Sequence, residues 1–256
     1  MKWFAAIALF CALLTAGSPA FSLDAAAPPD SSLYAGLLER FVRQGLVDYQ
    51  GLSQDEAILD AYLEVLSRIE PESLTPNHEL AYWINAYNAW TLKLILTAYP
   101  NISSIKDLGS FLRSPWKMQF VKVGERTLTL DTIEHDIIRP KFADPRIHFA
   151  INCAALSCPP LWPEPFDGDR LNEQLDAAVV TFINDPEKTY LQNNRLFVTR
   201  IFKWFAKDFD GGPKNFVLRY AKGELAANLN ANQNNIHIIY QGYDWSLNDW
   251  NRFFSN

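Results

Sequence analysis

Apolar residues at positions 37, 38, 41, 42 and 46 of LLERFVRQGLV recur at helical spacing, and DEAILDAYLEVLSRI over 55–69 repeats that spacing before Pro71. Thr75 followed by Pro76 marks a further helix start. The run behind it, LAYWINAYNAWTLKLILTAY at 80–99, approaches the roughly 20 residues that cross a bilayer. Asn85, Asn88 and Lys93 make insertion costly, so a helix buried in a protein core and ending at Pro100 is expected. Beyond Pro100 the period changes. KMQFVKVGERTLTL predicts two short strands about Gly124-Glu125, and DTIEHDIIRP a short helix from Asp131 to Pro140. RIHFAIN, at 146–152, reads as a strand, followed by an amphipathic helix in DRLNEQLDAAVVTFIND. TYLQNNRLFVTRIF predicts a hairpin turning at Asn193-Asn194, residues 213–220 a helix, and NIHIIY a last strand. These elements predict one α+β domain over 36–256, a helical N-terminal third followed by a mixed or antiparallel sheet with interleaved helices.

The first residues alter where this domain is expected to work. One lysine, an apolar run from Trp3 to Leu14 and small residues at Ser18, Ala20 and Ser22 have the layout of a cleaved signal peptide over 1–22. Residues 23–35 are then a lead-in segment, Cys11 leaves with the signal, and the mature chain is expected to be exported, periplasmic or secreted, with no stable membrane insertion. With 48% hydrophobic residues the chain is globular, and at a net charge of −6 with no Lys/Arg run it lacks a nucleic-acid footprint.

Candidate chemistry concentrates in RIHFAINCAALSCPPLW, residues 146–162. Cys153 and Cys158 admit three readings. An exported chain with an even cysteine count favours a disulfide. As zinc ligands they fit poorly, since C-x4-C is wider than the usual knuckle and has no second pair. As a nucleophile, Cys153 would stand where a strand ends and the chain turns. In an extended 147–153, His148 and Cys153 would point to opposite faces, making His148 a core histidine and His135 the better base. His135 has Asp131 four residues before it and Arg139 four after. Glu134, three positions after Asp131, suits a capping box or an orienting acid. His237 with Asp244 offers a lower-ranked alternative. Asn85 and Asn88 share a helical face with buried amides that either tie a structural network or hold an oxyanion. No G-x-S-x-G, H-E-x-x-H, P-loop or dinucleotide fingerprint is present.

AYWINAYNAW, TLDTIEHDIIRP, DPRIHFAINCAALSCPPL, IFKWFAKDF and YDWSLN, in that order, resemble the bacterial exported branch of the family known as domain of unknown function 547. The resemblance runs from about 47 to 248, implies a single domain and brings no mechanism. Two expectations follow. The first is a thiol-dependent hydrolase or acyltransferase acting on amide or thioester bonds of the cell envelope, without metal or cofactor. Its catalytic residues are Cys153, His135, Glu134, Asn85 and Asn88, and His148, Arg139 and Tyr87 bind a small-molecule or peptide ligand. The second is a non-catalytic binding or scaffold domain stapled by a Cys153–Cys158 disulfide.

Overall fold

The computed structural model describes residues 25–110, 113–232 and 235–254. The expected signal peptide at 1–22 lies outside the described residues. The chain enters through α1 (Ser32–Phe41), which stops where Gln44 (φ 53°) and Gly45 (φ 78°) turn it back as a hairpin, β1 (Val42–Arg43) on β2 (Leu46–Val47). The helical spacing had carried α1 through Val42 and Leu46. The left-handed turn overrides it, and a Cβ at Gly45 would meet the Pro160 Cβ at 2.1 Å, so only glycine fits there. Then come α2 (Tyr49–Gln54), α3 (Glu56–Ser67) and α4 (Pro76–Leu96).

Helix α4 is the axis of the fold. Buried residues run along it from Glu79 to Leu96 on every side, as expected for a helix enclosed by others. Its one charged residue in the last turn, Lys93, is neutralised by Glu56 and Asp60 of α3. No helix among the described residues is long and apolar enough to cross a membrane.

The hairpin β3 (Val121–Val123) and β4 (Arg126–Leu128) turns at Gly124-Glu125 as predicted. It leads into a π-helix at Thr132–Ile138 and directly on into α5 (Arg139–Phe142), past Pro140 where the pattern predicted an end. Next follow α6 (Leu171–Ile183) and the hairpin β5 (Tyr190–Gln192) and β6 (Arg195–Val198), whose Asn193 and Asn194 both take positive φ. The rest is α7 (Ile201–Trp204), α8 (Gly212–Tyr220), α9 (Gly223–Ala231), β7 (His237–Tyr240) and α10 (Asn251–Phe254). Strand β7 lies parallel to β6, which pairs antiparallel with β5, so this sheet is mixed. The fold is a single α+β domain in which helices dominate and the strands form small separate sheets.

Two expectations fail in the middle of the chain. RIHFAIN is not a strand. Pro145–Phe149 is a 3₁₀ helix whose start is capped by Asp144, accepting from the Arg146 N–H at 2.9 Å, and residues 151–153 are irregular. Without a partner strand the period-2 argument lapses, and His148 and Cys153 are not held on opposite faces. Glu134 is no capping residue either. Thr129 Oγ1 accepts the Thr132 N–H at 2.9 Å, and the Asp131 side chain makes no cap bond. The 145–151 segment instead bridges two cores. Ile147, Ala150 and Ile151 join the cluster around α4, and Phe149 joins a second cluster with Phe182, Phe202, Phe209 and Phe216.

Candidate functional site

A cleft of about 220 Å³ opens where the two cores meet. One side is polar: Tyr87 from α4, Asp131, Glu134 and His135 from the start of the π-helix, His148 from the 3₁₀ turn, and both cysteines. The other is aromatic. Trp204 stands 4.7 Å from Tyr243, and Tyr243 stands 4.6 Å from Trp245, ring centre to ring centre, with Trp116 at the far end and Phe205 beside them.

The cysteine loop is fixed from both directions. Asn88 donates Nδ2 to the Ala150 carbonyl at 2.9 Å and accepts the Asn152 N–H on Oδ1 at 2.8 Å. Asn152 in turn donates to the Pro159 carbonyl and accepts from the N–H of Ala154, which takes a left-handed φ of 57°. From the C-terminal side, Ala155 bridges Leu247, and the N–H groups of Leu156 and Ser157 donate to the Ser246 and Asp244 carbonyls. Asn88→Ala strands a buried N–H and a buried C=O in this loop. It is expected to destabilise the protein by about 2–4 kcal/mol, read as the shift in urea-unfolding free energy at unchanged slope.

The clamp sets the two thiols against each other. Both are free, with sulfurs 2.6 Å apart, longer than the roughly 2.05 Å of a disulfide bond. Cys158 is buried and accepts the Cys153 N–H on its sulfur at 2.9 Å, and burial pushes its thiol well above the ordinary range. Cys153 is half-buried, and its sulfur lies 3.3 Å from the Tyr243 hydroxyl.

A chain of charge-assisted contacts runs behind the polar side. Arg139 grips Asp208 with two hydrogen bonds, Nε to Oδ2 at 2.7 Å and Nη2 to Oδ1 at 2.9 Å. The same Oδ2 meets His148 Nε2 at 2.7 Å. Burial alone would raise the Asp208 pKa, but the bonds from Arg139 and His148 hold its carboxyl below the usual range. An ionised carboxylate only accepts, so Nε2 of His148 carries the hydrogen and Nδ1 keeps its lone pair. Burial pushes the His148 pKa down to about 4 against the pull of Asp208, keeping the ring neutral near pH 7. The ring also stacks on Phe205 at 4.0 Å. His135 is in the opposite tautomer. Arg139 only donates, so its Nη1, 3.0 Å away, takes the Nδ1 lone pair and leaves the hydrogen on Nε2, which is 3.9 Å from Asp131. Burial and Arg139 lower the His135 pKa, and Asp131 opposes them.

Glu134 is the buried acid of the cleft. It accepts the Tyr87 hydroxyl at 3.4 Å, and burial raises its pKa to about 7 although Arg139 and Tyr87 pull it down. The folded chain therefore binds this proton more tightly than the unfolded chain, whose carboxyl titrates near 4.5. Its contribution to stability is complete below that value and is lost as pH rises through about 7, by about 3 kcal/mol. His148 tilts stability the other way, so the wild-type-minus-variant difference isolates Glu134. Glu134→Gln is expected to gain stability relative to wild type by about 2–3 kcal/mol between roughly pH 5 and pH 8 in urea unfolding.

Other expected site residues fall elsewhere. Both polar atoms of the Asn85 amide are spent on the backbone of Phe166, at 2.7 and 2.9 Å, and the residue lines a different cavity. Asn88 positions the cysteine loop rather than facing the cleft. His237 is exposed on β7 and outside the cleft lining, and Asp244 is engaged with Ser246 and the cysteine loop. Sequence reading missed Asp208, which lies in the phrase IFKWFAKDF and holds both Arg139 and His148. Among the described residues the one group with metal-ligand spacing, His78, Asp167 and Asp169, lies away from the cleft, and both of its carboxylates are exposed.

Residues 71–183 match the model of a family described as protein of unknown function, DUF547. No curated protein and no solved structure matches the chain. The matched segment contains the whole polar side of the cleft, while Asp208, Trp204, Phe205, Tyr243 and Trp245 come from beyond it.

Proposed function

We propose that the cleft, whose polar side lies within the residues 71–183 that match the DUF547 family, is a thiol active site for acyl transfer from amides or thioesters, to water or to an acceptor. The observation that carries this reading is the shared cleft of the half-buried thiol of Cys153 and the imidazole of His148, held by Asp208 with Nδ1 unpaired among the described residues. That is the nucleophile, base and orienting acid of a triad. His148 replaces His135 as the base because the lone pair on Nδ1 of His135 is committed to Arg139.

His148 Nδ1 takes the Cys153 proton as sulfur attacks the carbonyl carbon. It then returns that proton to the departing amine or thiol, leaving a thioester on Cys153 that water or an acceptor cleaves. Glu134, kept protonated up to about pH 7, donates to the carbonyl oxygen as negative charge grows there. His135, with its hydrogen on Nε2, acts as a second donor. In the free protein the Cys153 thiol is turned onto Cys158, and catalytic hydrogen bonds of this kind tighten only with substrate bound. We place the mature chain outside the cytoplasm on the pattern of residues 1–22.

A second reading draws on the 2.6 Å sulfur separation: a binding domain in which Cys153 and Cys158 oxidise to a structural disulfide. One experiment separates the two. The mature protein is mixed with an activated acyl thioester and its intact mass followed. Acylation mapped to Cys153 and lost on hydrolysis supports the thiol enzyme. Two unreactive cysteines that gain two hydrogens on reduction overturn it in favour of the binding domain.

A further inference from the structure

We infer that Cys153 and Cys158 form a dithiol couple that reduces disulfide substrates in the same cleft, an activity separate from acyl transfer because it requires the second cysteine. Three observations carry it. The sulfurs face each other at 2.6 Å, and the Cys153 thiol and backbone N–H both point to Cys158 Sγ. Access is unequal: both cysteines line the cleft, but Cys153 is half-buried and Cys158 only 6% exposed. The loop that carries them is tied to the C-terminal segment at Ala155 and Ser157, so the facing geometry is built into the fold. The C-x4-C spacing does not suggest such a couple. The pairing comes from the reversal at Asn152–Ala154 and the tight turn in which the Cys158 N–H donates to the Ala155 carbonyl at 3.0 Å.

The aromatic lining of the cleft favours a disulfide over a peroxide. Trp204, Phe205, Tyr243 and Trp245 offer ring faces and edges to sulfur and to apolar carbon. Among the described residues the one hydroxyl or side-chain N–H within hydrogen-bond reach of the Cys153 sulfur is the Tyr243 hydroxyl. The volume of about 220 Å³ suits a small or side-chain disulfide.

In the first step Cys153 sulfur bonds to one sulfur of the substrate, the substrate S–S bond breaks, and the departing thiolate takes the Cys153 proton. In the second, Cys158 sulfur bonds to Cys153, the mixed disulfide breaks, and the released thiolate takes the Cys158 proton. Two electrons and two protons pass to the substrate, which leaves as two thiols, and the protein holds a Cys153–Cys158 disulfide. A low-molecular-weight thiol in excess returns the dithiol by the reverse exchanges.

The test uses the reduced full-length mature protein with oxidised glutathione, followed by intact mass after acid quench. Wild type is expected to lose two hydrogens without keeping an adduct. Cys158→Ser is expected to accumulate one glutathionyl group mapped to Cys153, and Cys153→Ser to gain none. A persistent adduct on wild type, equal adducts on both variants, or faster oxidation by hydrogen peroxide than by glutathione disulfide at equal concentration would overturn the inference. If Cys158→Ser does not fold, rapid alkylation of wild type during the reaction reads the same intermediate, and its absence counts against the couple. Acylation of the wild-type protein by the thioester probe is followed separately from its oxidation by glutathione disulfide, so the two activities fail separately.

Discussion

Cys153→Ser is expected to abolish acyl transfer, a loss on the order of 10⁴- to 10⁶-fold, while leaving the fold intact. The magnitude follows from the division of labour in the cleft. Glu134, His135 and the aromatic wall can still bind substrate and polarise its carbonyl, but a serine hydroxyl beside a neutral imidazole tuned to a thiol is a far weaker nucleophile. The fold survives because Cys153 is half-buried and its loop is held through backbone groups by Asn88, Asn152 and the segment 244–248. The check is the initial rate of thioester turnover alongside a thermal melt. An unchanged melt with no turnover is the expected pair of results. Retained turnover would remove Cys153 from the chemistry, and a lost fold would assign it to the core.

Where the chain folds by local rules, the sequence already contains the answer. Helix α4 starts at Pro76 because Thr75-Pro76 sets a start signal, and the hairpins turn at Gly124-Glu125 and Asn193-Asn194 because those residues take the turn conformations strands need. Where two nearby signals compete, local reading fails. Val42 and Leu46 fit a helical face, yet Gln44-Gly45 reverses the chain against Pro160, a contact more than 100 residues away that no local pattern shows. The cleft is hidden for the same reason. Its polar residues could be named from their types, but their roles depend on long-range partners. His148 is buried, as expected of a core histidine, but its partner Asp208 lies 60 positions later and no local pattern shows it. His135 has its Arg139 partner in view four residues on, but the sequence does not say that the guanidinium takes the Nδ1 lone pair. Asn85 and Asn88 differ by three positions and by nothing local, but one clamps Phe166 and the other clamps the cysteine loop.

Asp208 is where the triad reading and a purely structural reading part most clearly, and Asp208→Asn is the substitution that separates them. The amide keeps the volume and can still accept from Arg139, so the change costs part of an ion pair whose side chains are about one quarter exposed, roughly 1–2 kcal/mol. Catalysis should suffer far more. An asparagine that turns its NH₂ toward His148 donates to Nε2 instead of accepting from it, which forces the hydrogen onto Nδ1 and removes the lone pair that the proposed base would use. A base in the wrong tautomer is expected to cost on the order of 10²–10⁴-fold in kcat with little change in KM. The acidic limb of the rate profile, set by His148 at about 4 in wild type, should shift because the carboxylate that pulls its pKa upward is gone and desolvation is left unopposed. Loss of that pull moves the limb to lower pH. A fall in turnover with an unmoved acidic limb would mean that Asp208 only braces Arg139, and the base would then have to be sought at His135.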